Sequence, residues 1–264
     1  MTTQRKRWGF TRRLGWDAWW GVFAAVAAVC NPATAADDPP AAGEFKATLG
    51  RYRLTAPGGS ATDADDLNLR WRGDNRTMWL GYYRDANFGH QWRVGWDASW
   101  SPGDQPGLPW QLLPSLQAAS GGFVGGSLGV QVGAPYYAQF GIGRTNLRPY
   151  ANLNFDPNDA LTLALGWQGD GGRQAALTLI ADDRLHTGQK HWHLGGRWPV
   201  AEFSGLRVSA DLLHKTGLGD GGQVNAWGWT TGLDWRSVFV RVARDPKQNF
   251  SVYDAWRISG GLRY

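Results

Sequence analysis

Apolar and polar side chains alternate along most of the chain from residue 44 onwards. In the last nine residues, Trp256, Ile258, Leu262 and Tyr264 are apolar at even positions, and the odd positions hold polar residues or glycine. A period of two places successive side chains on opposite faces of a strand. Each such run therefore predicts a strand with one apolar and one polar face. Similar alternation recurs in 92–100, 144–155, 161–167, 206–212 and 238–242.

Segments rich in Gly, Pro, Asn and Asp separate these runs. They occur at 56–60, 73–75, 156–159, 169–172 and 219–222. Such residues suit the tight connections between antiparallel neighbours. The predicted strands are 44–54, 65–73, 77–85, 91–100, 121–132, 144–155, 160–168, 173–182, 189–198, 205–214, 223–235, 237–245 and 255–264, and the segments 112–120 and 135–143 are further strand candidates.

The carboxyl-terminal run resembles the last strand of bacterial outer-membrane β-barrel proteins. In those proteins the chain typically ends on an aromatic residue, with apolar residues at alternate positions before it. Tyr264, Leu262, Ile258 and Trp256 fit this assembly signal, while Gly260 is a weak member and Phe is the more frequent terminal residue. The resemblance implies recognition by the outer-membrane barrel assembly machinery through the strand that ends at Tyr264.

The polarity of the two strand faces distinguishes a membrane barrel from a soluble β-protein. A soluble barrel or sandwich buries its apolar faces, whereas a membrane barrel turns them to lipid and keeps a polar lumen. The apolar faces here contain many Trp and Tyr near strand ends, which is typical of an aromatic girdle. Because single-chain bacterial barrels have even strand numbers, we predict an all-β transmembrane up-and-down antiparallel barrel of about 12 strands, within a range of about 10 to 14.

The first 35 residues are predicted to be a cleaved secretory signal peptide. A basic head that ends at Arg13 precedes an apolar stretch, 18–29, and the triplet Ala33-Thr34-Ala35. A membrane anchor is the alternative, but about 20 apolar residues are needed to span a bilayer and this stretch is shorter. We therefore expect a signal peptide at 1–35, a short linker at 36–43 and an exported barrel at 44–264 in the bacterial outer membrane.

Removing the leader changes the charge of the protein. The chain has 27 Lys and Arg against 22 Asp and Glu, and the leader contains five of the basic residues and one of the acidic residues. The remaining 22 and 21 nearly balance, so charge gives no support for nucleic-acid binding. Cys30 is the only cysteine and lies in the leader, which excludes disulfide and thiol chemistry from the mature chain.

The polar strand faces contain the candidate functional side chains. The predicted lumen-lining residues are Arg148, His191, His193, Arg207, Asp211, Arg241 and Arg257. His191 and His193 share one strand face, but a metal site would need further ligands such as Asp211 or Glu202. We interpret the pair as part of a polar lumen, and no metal or other cofactor is implied.

The sequence assigns no catalytic residue. Outer-membrane phospholipases and lipid A deacylases use a Ser with a His on the barrel wall, and no His-x-Ser arrangement occurs on one strand face. A catalytic triad assembled across strands stays open, because such sites are defined by geometry rather than by sequence order.

Three functions are compatible with such a barrel. It could be a narrow channel for passive transport of small solutes, in which arginines facing the lumen favour anions. It could be an enzyme that modifies lipid or lipopolysaccharide, or a structural or surface-binding barrel acting through loops such as 244–254. Membrane lipid and lipopolysaccharide are the expected surroundings in every case.

Overall fold

A computed structural model of the protein describes residues 43–103, 107–153 and 159–264. The strands are β1 (Glu44–Thr55), β2 (Ala61–Arg72), β3 (Arg76–Asp85), β4 (Gly89–Ala98), β5 (Trp110–Ala119), β6 (Phe123–Val132), β7 (Tyr136–Thr145), β8 (Ala160–Gly169), β9 (Arg173–Asp182), β10 (Lys190–Pro199), β11 (Leu206–Gly219), β12 (Gly222–Trp235), β13 (Val238–Asp245) and β14 (Asp254–Arg263). Two short 3-10 helices span Asp170–Gly172 and Gln248–Phe250. Within the described ranges, no helix is long and apolar enough to cross a membrane.

The strands form one closed antiparallel barrel. Each strand pairs with its neighbours in sequence, and β1 also pairs with β14. That closing register runs from Lys46 opposite Arg263 to Thr55 opposite Asp254. Closure pairs the two strands that would otherwise expose an edge.

The predicted all-β antiparallel barrel is confirmed, but the described residues contain 14 strands rather than about 12, the upper limit of the predicted range. The candidates 112–120 and 135–143 are strands, and they correspond to β5 and β7. The predicted strand 144–155 is wrong, because β7 ends at Thr145 and the following residues form a connection. Leu147 in that connection has a positive φ of 57°, which extended backbone does not adopt. The predicted leader and linker residues up to 42 lie outside the described residues.

The barrel is apolar outside and polar inside. On β11, Leu206, Val208 and Leu212 point outwards, while Arg207 and Asp211 share the opposite face. Many large apolar side chains on the other strands are likewise exposed on the outer surface. This arrangement is the reverse of a soluble barrel and matches a wall that faces lipid.

Aromatic side chains form two belts on the outer surface. We call the end with the chain termini the turn end and the opposite end the loop end. Exposed rings near the turn end are Phe45, Trp100, Trp110, Tyr136, Trp198, Trp235 and Tyr264, and those towards the loop end are Trp92, Trp192, Trp227, Trp229 and Trp256. Trp192 and Trp198 lie six residues apart on β10, about 20 Å along a strand. Such belts suit the two interfaces of a bilayer.

Charged side chains occupy the outer surface of β1 to β3 near the loop end. Arg51 pairs with Asp63 at 2.8 Å and with Asp65 at 3.0 Å, and Arg84 also contacts Asp65 at 3.0 Å. Exposed ion pairs are unsuited to hydrocarbon, so this part of the wall extends beyond the lipid band. The loop end also has the longer connections at 146–159, 183–189 and 246–253, whereas most turn-end connections are short.

Candidate functional site

The barrel interior contains a cavity of about 340 Å³. Residues of β1 to β10, β13 and β14 line it, most of them on inward positions, together with Tyr150 and Leu153 from the connection between β7 and β8. Because neighbouring strands are fixed in register, the lining residues are set by the alternation of each strand. The polar faces of the strands therefore form most of the cavity lining.

One side of the cavity is basic, and we call it the basic wall. It belongs to β13, β14, β1, β2 and β4, which adjoin in the barrel apart from the intervening β3. Its cations are Lys46, Arg70, Arg72, Arg93, Arg241 and Arg257. Asp66 and Asp97 are the acidic residues of the lining, so the six cations exceed the two carboxylates by four formal charges.

Arg93 connects the basic wall to the connection between β7 and β8. Its guanidinium lies 2.5 Å from the Asp66 carboxylate, and both side chains are almost fully buried. The same guanidinium donates to the carbonyl oxygen of Ala151 at 3.3 Å. Arg257 lies further along the wall and donates to the Tyr52 hydroxyl at 3.4 Å. These contacts hold two of the cations in defined positions.

The opposite side of the cavity is neutral and polar, and we call it the amide wall. It contains one glutamine from each of five successive strands, β5 to β9, namely Gln117, Gln131, Gln139, Gln168 and Gln174. In β6 and β7, Gln131 and Gln139 lie directly opposite each other in register. Among the described residues, β5 to β10 contribute no charged side chain to the lining.

Two aromatic rings lie against the inner surface where glycines leave room for them. A Cβ built on Gly95 would lie 2.3 Å from the ring of Trp79, and one built on Gly166 would lie 2.2 Å from that of Tyr137. Glycine within a strand often marks such a close approach. Both rings line the cavity, so these glycines keep ring volume out of its centre.

Residues 146–153 fold into the barrel, and we call this segment the inner loop. The ring of Tyr150 stacks on Phe123 of β6 with ring centroids 4.4 Å apart, and its hydroxyl donates to Gln117 at 3.2 Å. The Ala151 amide donates to the side-chain oxygen of Gln91 at 2.7 Å. The inner loop is therefore bound to β4, β5 and β6 and narrows the loop end of the cavity.

The connection between β13 and β14, residues 246–253, reaches the inner loop from the opposite side of the barrel. The side-chain amide of Asn249 donates to the carbonyl oxygen of Asn152 at 3.0 Å. Phe250 is fully buried, and its ring centroid lies 5.1 Å from that of His191. Lys247, Asn249 and Phe250 all have positive φ, a costly conformation for residues other than glycine. Contacts inside the barrel thus hold this connection in a strained form.

Inward side chains of β10 to β13 fill the remaining part of the loop end. Lys215 is fully buried and forms an ion pair with Asp245. His193 forms a hydrogen bond through Nδ1 with Asp211 at 3.0 Å. This side of the barrel is a packed polar network rather than a passage.

A second ion-pair network lies at the turn end, around Asp234. Arg263 of the last strand contacts its carboxylate at 2.6 Å, and Arg197 does so at 3.6 Å. Arg207 lies opposite Asp234 in register. Several cations therefore surround one buried carboxylate, which leaves the turn end electropositive.

The structure separates the sequence-predicted lumen residues into groups. Strand register places six of them on inward faces: His191, His193, Arg207, Asp211, Arg241 and Arg257. Arg241 and Arg257 line the cavity, whereas the histidines and Asp211 belong to the packed network. The placement of Arg148 in a lumen-facing strand is wrong, because it lies exposed in the inner loop.

The histidine pair is not part of a metal-binding cluster. In the part of the chain that is described, no group of three or more His, Cys, Asp or Glu residues could hold a metal ion. Asp211 does meet His193, but Glu202 lies exposed in the turn-end connection between β10 and β11.

Sequence reasoning missed most of the cavity lining. Arg70 and Arg72 alternate with Leu69 and Trp71, so the period of two in β2 could have identified them. The glutamines gave no comparable signal, because each lies on a different strand and only the closed barrel brings them together.

The structure is similar to solved outer-membrane proteins. The outer membrane protein Omp33 of Acinetobacter baumannii superposes with a TM-score of 0.52 at 12% identity, over 84% of this chain and 98% of that chain. OpdK of Pseudomonas aeruginosa gives 0.39 at 10% identity, over 84% and 98%. A mutant of the Rh. blastica porin gives 0.39 at 9% identity, over 84% and 100%.

At the level of sequence, no protein-family model and no curated protein matches the chain. The likeness to Omp33 is structural, and it agrees with the closed barrel and its inside-out polarity. The resemblance drawn from the terminal strand is thereby confirmed. The chain has the fold of the bacterial outer-membrane β-barrel proteins.

Proposed function

We propose that the protein is a narrow outer-membrane pore for the passive transport of small anionic solutes. The observation that carries this proposal is the charge of the cavity lining, in which six cations face two carboxylates. A surplus of fixed positive charge in a confined passage lowers the energy of an anion and raises that of a cation. The fold shared with the outer membrane protein Omp33 supports the outer-membrane part of the proposal.

The dimensions of the interior restrict the solutes to small ones. A barrel of about 8 strands is filled by side chains, and porins of about 16 to 18 strands have open water channels. Fourteen strands lie between these cases, and the inner loop and Phe250 narrow the loop end further.

Export through a cleaved leader and insertion into the outer membrane belong to the same proposal. The apolar outer surface and its aromatic belts suit contact with lipid and lipopolysaccharide. We infer that the barrel assembly machinery recognises β14 and its terminal aromatic residue. The ring of Tyr264 stacks on Phe45 of β1, with centroids 5.6 Å apart, beside the seam where the barrel closes.

Planar-bilayer recording of the refolded protein tests the transport role. In a potassium chloride gradient, we expect a reversal potential that reports a higher permeability to chloride than to potassium. The double variant Arg70→Gln/Arg241→Gln removes two cations from the basic wall. It should lower the chloride-to-potassium permeability ratio by at least about fivefold, since a single charge about 4 Å away contributes about 1 kcal/mol even in water.

Arg53→Gln is the matched control, because it removes a cation from the exposed outer surface, outside the cavity. We expect it to leave the permeability ratio unchanged. Correctly folded protein that stays silent at all voltages, or conducts without preferring anions, would contradict the proposed function.

The enzymatic alternative has less support from the geometry. The His193–Asp211 pair lies inside the barrel in the packed network, and both side chains are buried. A lipid substrate approaches a membrane barrel from its outer surface, where this pair is not accessible.

A further inference from the structure

We infer that the pore selects organic anions that also carry hydroxyl groups, such as sugar acids. This inference rests on the proposed function and names its substrate class. It follows from the division of one cavity into a basic wall and an amide wall, each made by a contiguous sector of the barrel.

The two walls face each other across the lumen. In a closed barrel of 14 strands, β1 and β8 are seven strands apart and lie on opposite sides. Lys46 of β1 belongs to the basic wall, and Gln168 of β8 belongs to the amide wall. A solute within the cavity therefore meets cations on one side and neutral amides on the other.

The basic wall fits a carboxylate, sulfonate or phosphate group. Arginine supplies several N–H donors in a planar arrangement that matches such oxygens, and charge-assisted hydrogen bonds are the stronger kind. Arg70 and Arg72 lie two residues apart on β2, so both guanidinium groups project from the same face. This wall alone would accept any small anion.

The amide wall can form hydrogen bonds with the hydroxyl groups in the neutral part of the solute. A glutamine side chain has both an acceptor oxygen and two N–H donors, and a hydroxyl group is both a donor and an acceptor. Gln131 and Gln139, adjacent in register, present such groups side by side. A solute without hydroxyl groups would displace water from these amides without replacing its hydrogen bonds, which is unfavourable.

The size and the aromatic lining agree with a compact ring or short polyol chain. The cavity of about 340 Å³ is within the range of small-molecule sites. Trp79 and Tyr137 provide flat apolar surfaces against which the C–H faces of such a solute can pack. Trp79 lies on β3, within the sector of the basic wall, and Tyr137 lies on β7, within the amide wall.

Permeability ratios in planar bilayers test the inference directly. Reversal potentials are measured with potassium gluconate and potassium pentanesulfonate, each against potassium chloride. Both anions carry one negative charge, but only gluconate has hydroxyl groups. We expect gluconate to be about fivefold more permeant than pentanesulfonate, the ratio that one net hydrogen bond provides.

The variant Gln131→Leu/Gln139→Leu should abolish this preference while the chloride-to-potassium ratio stays as in the wild type. The matched control Gln131→Asn/Gln139→Asn retains the amides and should retain a preference for gluconate. Equal permeability of both anions through the wild-type pore would overturn the inference, and so would a preference that survives in the leucine variant. Both of these outcomes concern the choice between two anions and leave the proposed function standing. A wild-type pore that does not prefer chloride to potassium would instead contradict the proposed function.

Discussion

Single glycines determine how much of the lumen the aromatic side chains occupy. We expect Gly166→Ala to push the Tyr137 ring away from the wall, because the new Cβ would overlap it. Overpacking of this kind costs about 1–3 kcal/mol, and a displaced ring would also reduce the single-channel conductance. Urea unfolding of the refolded protein and bilayer recording measure the two effects.

Gly50→Ala is the control for that experiment. Gly50 also points inwards, but its added Cβ would find its nearest atoms at 3.6 Å, an ordinary contact. Both quantities should stay close to those of the wild type. If Gly166→Ala behaves like Gly50→Ala, the close approach of the Tyr137 ring is not a constraint.

The buried ion pair between Lys215 and Asp245 makes a second prediction for individual residues. Lys215→Met leaves the Asp245 charge buried without its partner, so the free energy of unfolding should fall by about 3–5 kcal/mol. Replacing both residues with Met and Leu should recover much of that loss. Arg53→Met removes one partner of an exposed pair and should change stability by no more than about 1 kcal/mol. A small effect of Lys215→Met would contradict the description of this pair as structural.

At the scale of elements, alternation predicted twelve of the strands and failed where its contrast was weak. β5 contains Pro114 and has apolar residues on both faces, and inward glycines at 141 and 143 remove polar side chains from β7. The predicted strand 144–155 alternates well, but its described residues from 146 to 153 form a connection. Inside a barrel, a loop also has one side towards the wall and one towards the lumen, so it can imitate the period of a strand.

The connection between β13 and β14 narrows the lumen with its side chains, and removing them should change the conductance. Asn249→Gly/Phe250→Gly deletes two inward side chains and relieves two positive φ angles at once. We expect a larger conductance with the barrel intact, as judged by its heat-modifiable migration on gels. His186→Gly relieves a positive φ in an exposed connection and should leave the conductance unchanged. Equal conductance of all three proteins would show that this connection does not narrow the passage.

For the whole molecule, the sequence predicted the closed barrel and its polarity better than it predicted the cavity. Face assignment needs only the period of two, as for Arg241 and Arg257. The cavity depends on which strands lie opposite one another and on where the inner loop packs. Both depend on the total number of strands, which is 14 rather than 12, and on contacts between residues far apart in the sequence. A local sequence pattern does not specify either of them.

The terminal aromatic residue provides a prediction about assembly of the whole barrel. Tyr264→Ala should lower the amount of folded protein in the outer-membrane fraction of a Gram-negative host, and Tyr264→Phe should preserve it. Tyr136→Ala is the control, because Tyr136 is an outward aromatic at the same end with 72% exposure against 74% for Tyr264. If both alanine variants accumulate equally, Tyr264 is one more belt residue and not an assembly signal.

Pairing of β1 with β14 also has a consequence for the order of biosynthesis. β1 is synthesised before all the other strands of the barrel, and its final partner β14 is synthesised after them. A chain that stops early can form hairpins, but it keeps two open edges on which other chains could add. The chain must therefore be held unfolded until β14 has been made, and deletion of β14 should convert a membrane barrel into an aggregation-prone sheet.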